Sequence, residues 1–172
     1  LTTGPQVRKF EKILSDYTSS DNVIAVNSCT AALHLALKSL GIKKGDNIIV
    51  PNYTCVSNLS SVSQCGARAI LVDIEKDTFG LDYSLVIEAI KKYKPKAMQL
   101  VHVYGFPARD TIKIIKICKK KNIKIIEDTS ESLGSKIGKK IVGTFGDINV
   151  TSIRSEKMIG VGEGAVISTN NL

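Results

Sequence analysis

With 172 residues, 43% of them hydrophobic and 23% charged, the chain can build one domain with a substantial core, and nothing in its make-up is disordered or fibrous. No apolar run approaches the ~20 residues that cross a bilayer, and Leu1-Thr2-Thr3-Gly4 lacks the basic-then-apolar pattern of a secretion signal. The formal net charge of +8 comes with only 5% aromatic residues and no interleaving of aromatic with basic positions, which argues against nucleic acid.

Pro5 to Tyr17 reads as a helix that turns Val7, Phe10, Ile13, Leu14 and Tyr17 to one face. Val23 to Val26 reads as a buried strand. Ala31 to Leu40 is an Ala- and Leu-rich helix stopped by Gly41. The pattern then alternates: strand Asn47 to Val50 closed by Pro51, a polar helix up to Cys65-Gly66, strand Ala69 to Val72, helix Leu85 to Tyr93, strand Ala97 to Val103, helix Thr111 to Lys120, and strand Ile123 to Ile126 ending at Glu127-Asp128. After Gly143-Thr144-Phe145-Gly146 come two more strand-like runs, Ile148 to Ile153 and Ala165 to Thr169. This alternation implies an α/β fold of three layers, a mostly parallel sheet covered on both faces, with the ligand site at the carboxyl ends of the strands. Residues 1–172 read as a single domain without repeats or low-complexity linkers.

Cys29, Cys55, Cys65 and Cys118 form no CxxC pair, which fits free thiols in a reducing cytoplasm, with Cys118 buried in its helix. His34 and His102 belong to no metal-binding motif, so no metal is expected. Lysines crowd positions 91–96, 113–121 and 136–140. They read as solvated helix faces, or as a field that draws in an anionic ligand such as a nucleotide diphosphate.

Three strand ends are polar where packing does not ask for it. Asn27-Ser28-Cys29-Thr30 joins a strand directly to a helix, whose free N–H groups suit a phosphate, although simple capping by Ser28 or Thr30 fits as well. Glu127-Asp128 ends a buried strand, and a carboxylate there needs a partner: a protonated ring nitrogen, a lysine, or the start of a following helix. Lys157 stands apart from the lysine runs, after Ser152-Ile153-Arg154-Ser155-Glu156 and before Gly160 and Gly162-Glu163-Gly164. It is either a loop lysine on the surface or one whose pocket makes it give up its proton and attack a carbonyl. There is no GxGxxG after the first strand to support a dinucleotide site.

The chain resembles the DegT/DnrJ/EryC1/StrS family of sugar aminotransferases. The resemblance runs through Thr3-Gly4-Pro5, Asn27-Ser28-Cys29-Thr30-Ala31-Ala32, Gly45-Asp46-Asn47-Ile48-Ile49-Val50-Pro51, Val101-His102-Val103-Tyr104-Gly105, Glu127-Asp128-Thr129-Ser130-Glu131-Ser132-Leu133-Gly134, Gly143-Thr144-Phe145-Gly146-Asp147 and Lys157 with Gly162-Glu163-Gly164. It implies the large domain of the aspartate aminotransferase-like fold and pyridoxal 5'-phosphate as cofactor. Lys157 would hold that cofactor as a Schiff base and later move a proton between sugar and cofactor carbons. Asp128 would pair with the ring nitrogen, Glu131 would lie near the ring hydroxyl, and Cys29, Thr30 and Ser152 would hold the phosphate.

The reaction implied is transfer of an amino group, typically from glutamate, to a nucleotide-linked keto sugar by a cytoplasmic homodimer whose sites borrow partner residues. A sugar dehydratase of the same fold and a non-catalytic relative are the alternatives; dehydratases of this kind carry His where Lys157 stands. Departures from the family pattern are Cys29 where Gly is common, Cys55 near the expected stacking aromatic with Tyr53 beside it, Thr151-Ser152-Ile153 without flanking Phe, and Gly164-Ala165 for a glycine pair. Family members are longer, with a small C-terminal domain after the glycine-rich turn. The chain is therefore expected to be a fragment whose sheet stops early, leaving an edge strand without its neighbour.

Overall fold

The computed structural model describes residues 4–170; Thr3 of the opening motif, with Leu1, Thr2, Asn171 and Leu172, lies outside them. Helices α1 (Pro5–Thr18), α2 (Cys29–Ser39), α3 (Val56–Gln64), α4 (Tyr83–Tyr93) and α5 (Thr111–Lys120) alternate with strands β1 (Asn22–Val26), β2 (Asn47–Pro51), β3 (Arg68–Val72), β4 (Ala97–Val101) and β5 (Lys124–Asp128). A short hairpin, β6 (Lys136–Ile137) with β7 (Lys140–Ile141), precedes β8 (Ile148–Ser152) and β9 (Ala165–Thr169). The hairpin was not foreseen, because two-residue strands carry no readable period.

Seven strands form one sheet in the order β1-β9-β8-β5-β4-β2-β3. β3, β2, β4, β5 and β8 run parallel, and β9 is antiparallel to both β8 and β1. The final strand is paired on both sides, its register joining Ala165 to both Val26 and Ser152, and the edges of the sheet are β1 and β3.

Alternation along each strand divides the core. Ile48, Val50, Ala97, Ile126, Ile148 and Val150 pack against Ala32, Leu33, Ala36 and Leu37 of α2 and Val62 of α3. Ile49, Met98, Leu100 and Ile125 face the other way, onto Val86 and Ile90 of α4 and Ile114, Ile115 and Cys118 of α5. Two such layers of helix on one sheet are the three-layer arrangement the alternation implied. α1 is different. It packs near the β1–β9 edge through Leu14 and Phe10, with Val23, Ile153 and Val166. Its apolar stripe is narrower than expected, since Ile13 and Tyr17 are 55% and 52% exposed.

Candidate active site

α2 begins two residues earlier than its apolar period suggested, at Cys29, because Ser28 is the N-cap: its Oγ accepts from the Ala31 N–H at 3.2 Å. The capping reading of Ser28 thus holds, and it puts Cys29 and Thr30 in the first helical turn. α3 starts beside it. Thr30 Oγ1 donates to Ser57 Oγ at 3.0 Å, so the first turns of two helices meet at one end of a cavity of about 420 Å³. The N–H groups of two first turns and the positive ends of two helix dipoles make that end receptive to an anion.

The cavity lies at the carboxyl ends of the central strands, with Val101, His102 and Val103 at and beyond the end of β4, Asp128, Ser130 and Glu131 at and beyond β5, and Ser152 ending β8. Asp128 is buried; its Oδ1 accepts from the Ser130 N–H and its Oδ2 from Asn58 Nδ2, both at 3.0 Å. It caps no helix, since turns follow β5, and among the described residues it forms no ion pair with a lysine. Glu127, the adjacent residue, points to the opposite face and accepts from the N–H groups of Gly143, Phe145 and Gly146 and from His102. Burial by itself would raise its pKa, but the bonds from His102 and the backbone hold its carboxyl below the usual range. Glycine at 143 is required for this loop, with φ of +90° and a would-be Cβ 2.7 Å from the Asn149 side chain.

Lys157 is not a surface lysine. Its side chain is 20% exposed, and Nζ donates to Glu131 Oε1 at 3.0 Å, while Glu131 Oε2 accepts from the Tyr104 N–H. Burial alone would loosen its proton, but the hydrogen bond and charge of Glu131 outweigh that and raise the group above the ordinary lysine value. Neither reading of Lys157 from the sequence, a surface lysine or one readily deprotonated by its pocket, describes it: Glu131, with a smaller effect of Glu156, keeps it charged.

Ser130 ties the remaining pieces together: its Oγ accepts from the Ser152 N–H at 3.0 Å and lies 3.3 Å from Cys29 Sγ. The thiol at position 29 is accommodated by turning onto this serine. Burial, then the Asp128 charge, push Cys29 up to about 12. At the mouth, the rings of Tyr53, Phe79 and Tyr104 cluster with centroids 5.8–6.3 Å apart, and the Tyr53 and Tyr104 hydroxyls are 2.6 Å apart. Cys55, exposed, occupies the N-cap of α3.

The structure therefore brings Cys29, Thr30, Asp128, Glu131, Ser152 and Lys157 to one cavity. Asn58, Ser57 and Ser130 were missed. The signal for Asn58 was available: Asn58 and Ser61, one turn apart, put polar residues on the buried face of α3.

The whole sequence, residues 1–172, matches the profile of the DegT/DnrJ/EryC1/StrS aminotransferase family. The chain belongs to this family. It is 38% identical over 168 residues to GDP-perosamine synthase from Escherichia coli O157:H7, covering 98% of this chain and 46% of that protein. The fold superimposes on an aminotransferase from Psychrobacter cryohalolentis with a TM-score of 0.93 at 30% identity, over 98% of this chain and 42% of the other. A second solved structure of the fold, E. coli GDP-4-keto-6-deoxy-D-mannose-3-dehydratase with bound hydrated PLP, gives a TM-score of 0.92 at 30% identity, over 99% and 45%. The chain thus spans under half the length of these family relatives. Among the described residues no helix is long and apolar enough to cross a membrane, and no group of His, Cys, Asp and Glu is arranged to hold a metal ion.

Proposed function

We propose that residues 1–172 form the cofactor-binding large domain of an enzyme that moves an amino group onto a nucleotide-linked keto sugar with pyridoxal phosphate. The carrying observation is a single cavity with an amine, a buried carboxylate and an anion-receptive pair of helix starts. That donor set matches the cofactor group by group. Thr30, Ser57 and the N–H groups of the two first turns would hold its phosphate, joined by Ser152 and by the backbone at Cys29. Asp128, fixed by two donors, would face the ring nitrogen. Glu131 would lie beside the ring hydroxyl. When bound, the cofactor acts as an electron sink for the carbon that gains or loses the amino group.

Lys157 is the residue that would join the cofactor and carry the proton. Its contact with Glu131, an ammonium 3.0 Å from a carboxylate, holds that proton on Nζ and fixes where the amine points in the cavity. Lysine at this position favours amino transfer over the dehydration named for the second solved relative. Glu131 and the similarity to GDP-perosamine synthase support a GDP-linked sugar as substrate, and the family resemblance implies a 4-keto-6-deoxy sugar and glutamate as donor. We also infer a homodimer, a small C-terminal domain that lies beyond these residues, and a cytoplasmic setting, which the four unpaired thiols suit.

The test is reduction of the full-length protein with borohydride after addition of pyridoxal phosphate, followed by peptide mapping. The label is expected on Lys157 alone. Stable labelling of another lysine, or of none, would overturn the assignment.

A further inference from the structure

Asn58 is fully buried on the face of α3 that packs inward. A buried amide is costly unless its hydrogen bonds are made, and here each end has one. Thr54 Oγ1 donates to Asn58 Oδ1 at 2.7 Å, and Asn58 Nδ2 donates to Asp128 Oδ2 at 3.0 Å. The carboxylate settles which way the amide points, since a flipped amide would set its oxygen against Asp128, and the Thr54 hydroxyl then donates to the oxygen that is left. Ser61 anchors the same turn, giving its hydroxyl hydrogen to the Asn58 carbonyl while accepting from Gln99 Nε2 on β4.

A carboxylate turns freely about its terminal torsion, which has a broad energy profile. One donor leaves the plane free to swing; two donors on different oxygens define it. Asp128 has two, and they come from independent elements, Ser130 in the turn after β5 and Asn58 on α3. The remaining lone pairs then face the cavity that Asp128 lines. We propose that Asn58, oriented by Thr54, is a positioning residue that aims the Asp128 carboxylate at the cofactor, so that it influences cofactor binding only through Asp128. The proposal rests on the functional reading above.

The experiment is a double-mutant cycle on the full-length protein, with the dissociation constant of pyridoxal phosphate read by absorbance titration and folding checked by circular dichroism. Asn58→Leu keeps the bulk and removes the donor. It is expected to weaken binding about tenfold, equivalent to ~1.4 kcal/mol. In an Asp128→Ala background the same change is expected to shift affinity by less than about twofold, because no carboxylate remains to be aimed. Thr54→Val, which nearly preserves volume, is expected to weaken binding about threefold and likewise only while Asp128 is present. It carries the cycle should Asn58→Leu fail to fold.

Unchanged affinity in Asn58→Leu, or an equal loss in both backgrounds, would mark Asn58 as a packing residue and end the proposal. Wild-type protein that takes up no pyridoxal phosphate would instead fail at the functional reading, before the cycle begins.

Discussion

Replacing Glu127 by Gln exchanges one carboxylate oxygen for an NH2 group and tests how the loop behind the cavity is held. Oε1 accepts from the Gly143 N–H at 2.8 Å and faces His102 Nε2 at 3.2 Å; Oε2 accepts from Phe145 and Gly146 at 2.7 and 2.6 Å. Since the Ala108 N–H donates to His102 Nδ1, Nε2 carries the imidazole proton, and all four partners of Glu127 are donors. A glutamine must aim its NH2 at two of them in either orientation. Two charge-assisted hydrogen bonds at ~1.5–3 kcal/mol each amount to a loss of about 3–6 kcal/mol. That is a large share of the ~5–15 kcal/mol typical of a whole domain.

The pH dependence has a definite sign. A carboxyl depressed in the folded state contributes stability that is present above its unfolded value, near 4.3, and lost as pH falls through the lower folded value. The gap between wild type and Glu127→Gln should therefore be full at pH 7 and close in acid. Urea unfolding followed by circular dichroism across that range measures it. A loss under ~1 kcal/mol at pH 7, or a gap that persists unchanged in acid, would refute the reasoning.

Other consequences are as specific. Asp128→Asn should fold and retain much of its cofactor, yet lose amino-transfer turnover by about 10²–10³-fold, the scale of a removed electrostatic partner; steady-state kinetics on the full-length protein decides this. Cys29, half-buried and pushed up to about 12, should resist iodoacetamide at pH 8 while the exposed Cys55 is alkylated, as peptide mass spectrometry will show; faster labelling at Cys29 would contradict that upward shift. Gly80→Ala would set a methyl 2.3 Å from the Ala108 Cβ, so a loss of about 1–3 kcal/mol is expected, with Ala108→Gly restoring part of it in thermal unfolding.

Local pattern was sufficient for much of this protein. The period of apolar residues located every strand of the main sheet to within a residue or two, and the strand–helix alternation carried the layered architecture, because burying a strand on both faces leaves few options for what covers it. Cys29, Thr30, Asp128 and Lys157 stood out because polar residues at strand ends and helix starts break the apolar rule, whereas Glu131 and the role of Ser152 came only through the family resemblance.

What the chain order could not convey is which groups meet. Asp128 and Asn58 lie 70 residues apart and Lys157 and Glu131 lie 26 apart, and no period links either pair. The direction in which Lys157 shifts followed mainly from that second contact, because desolvation and a carboxylate at 3.0 Å push an ammonium opposite ways. The antiparallel pairing of β9 between β1 and β8 was likewise decided by the sheet as a whole, where backbone groups on both sides of a strand need partners. Residue type and spacing determined the kinds of chemistry available here; distances between segments remote in sequence determined which groups act on one another.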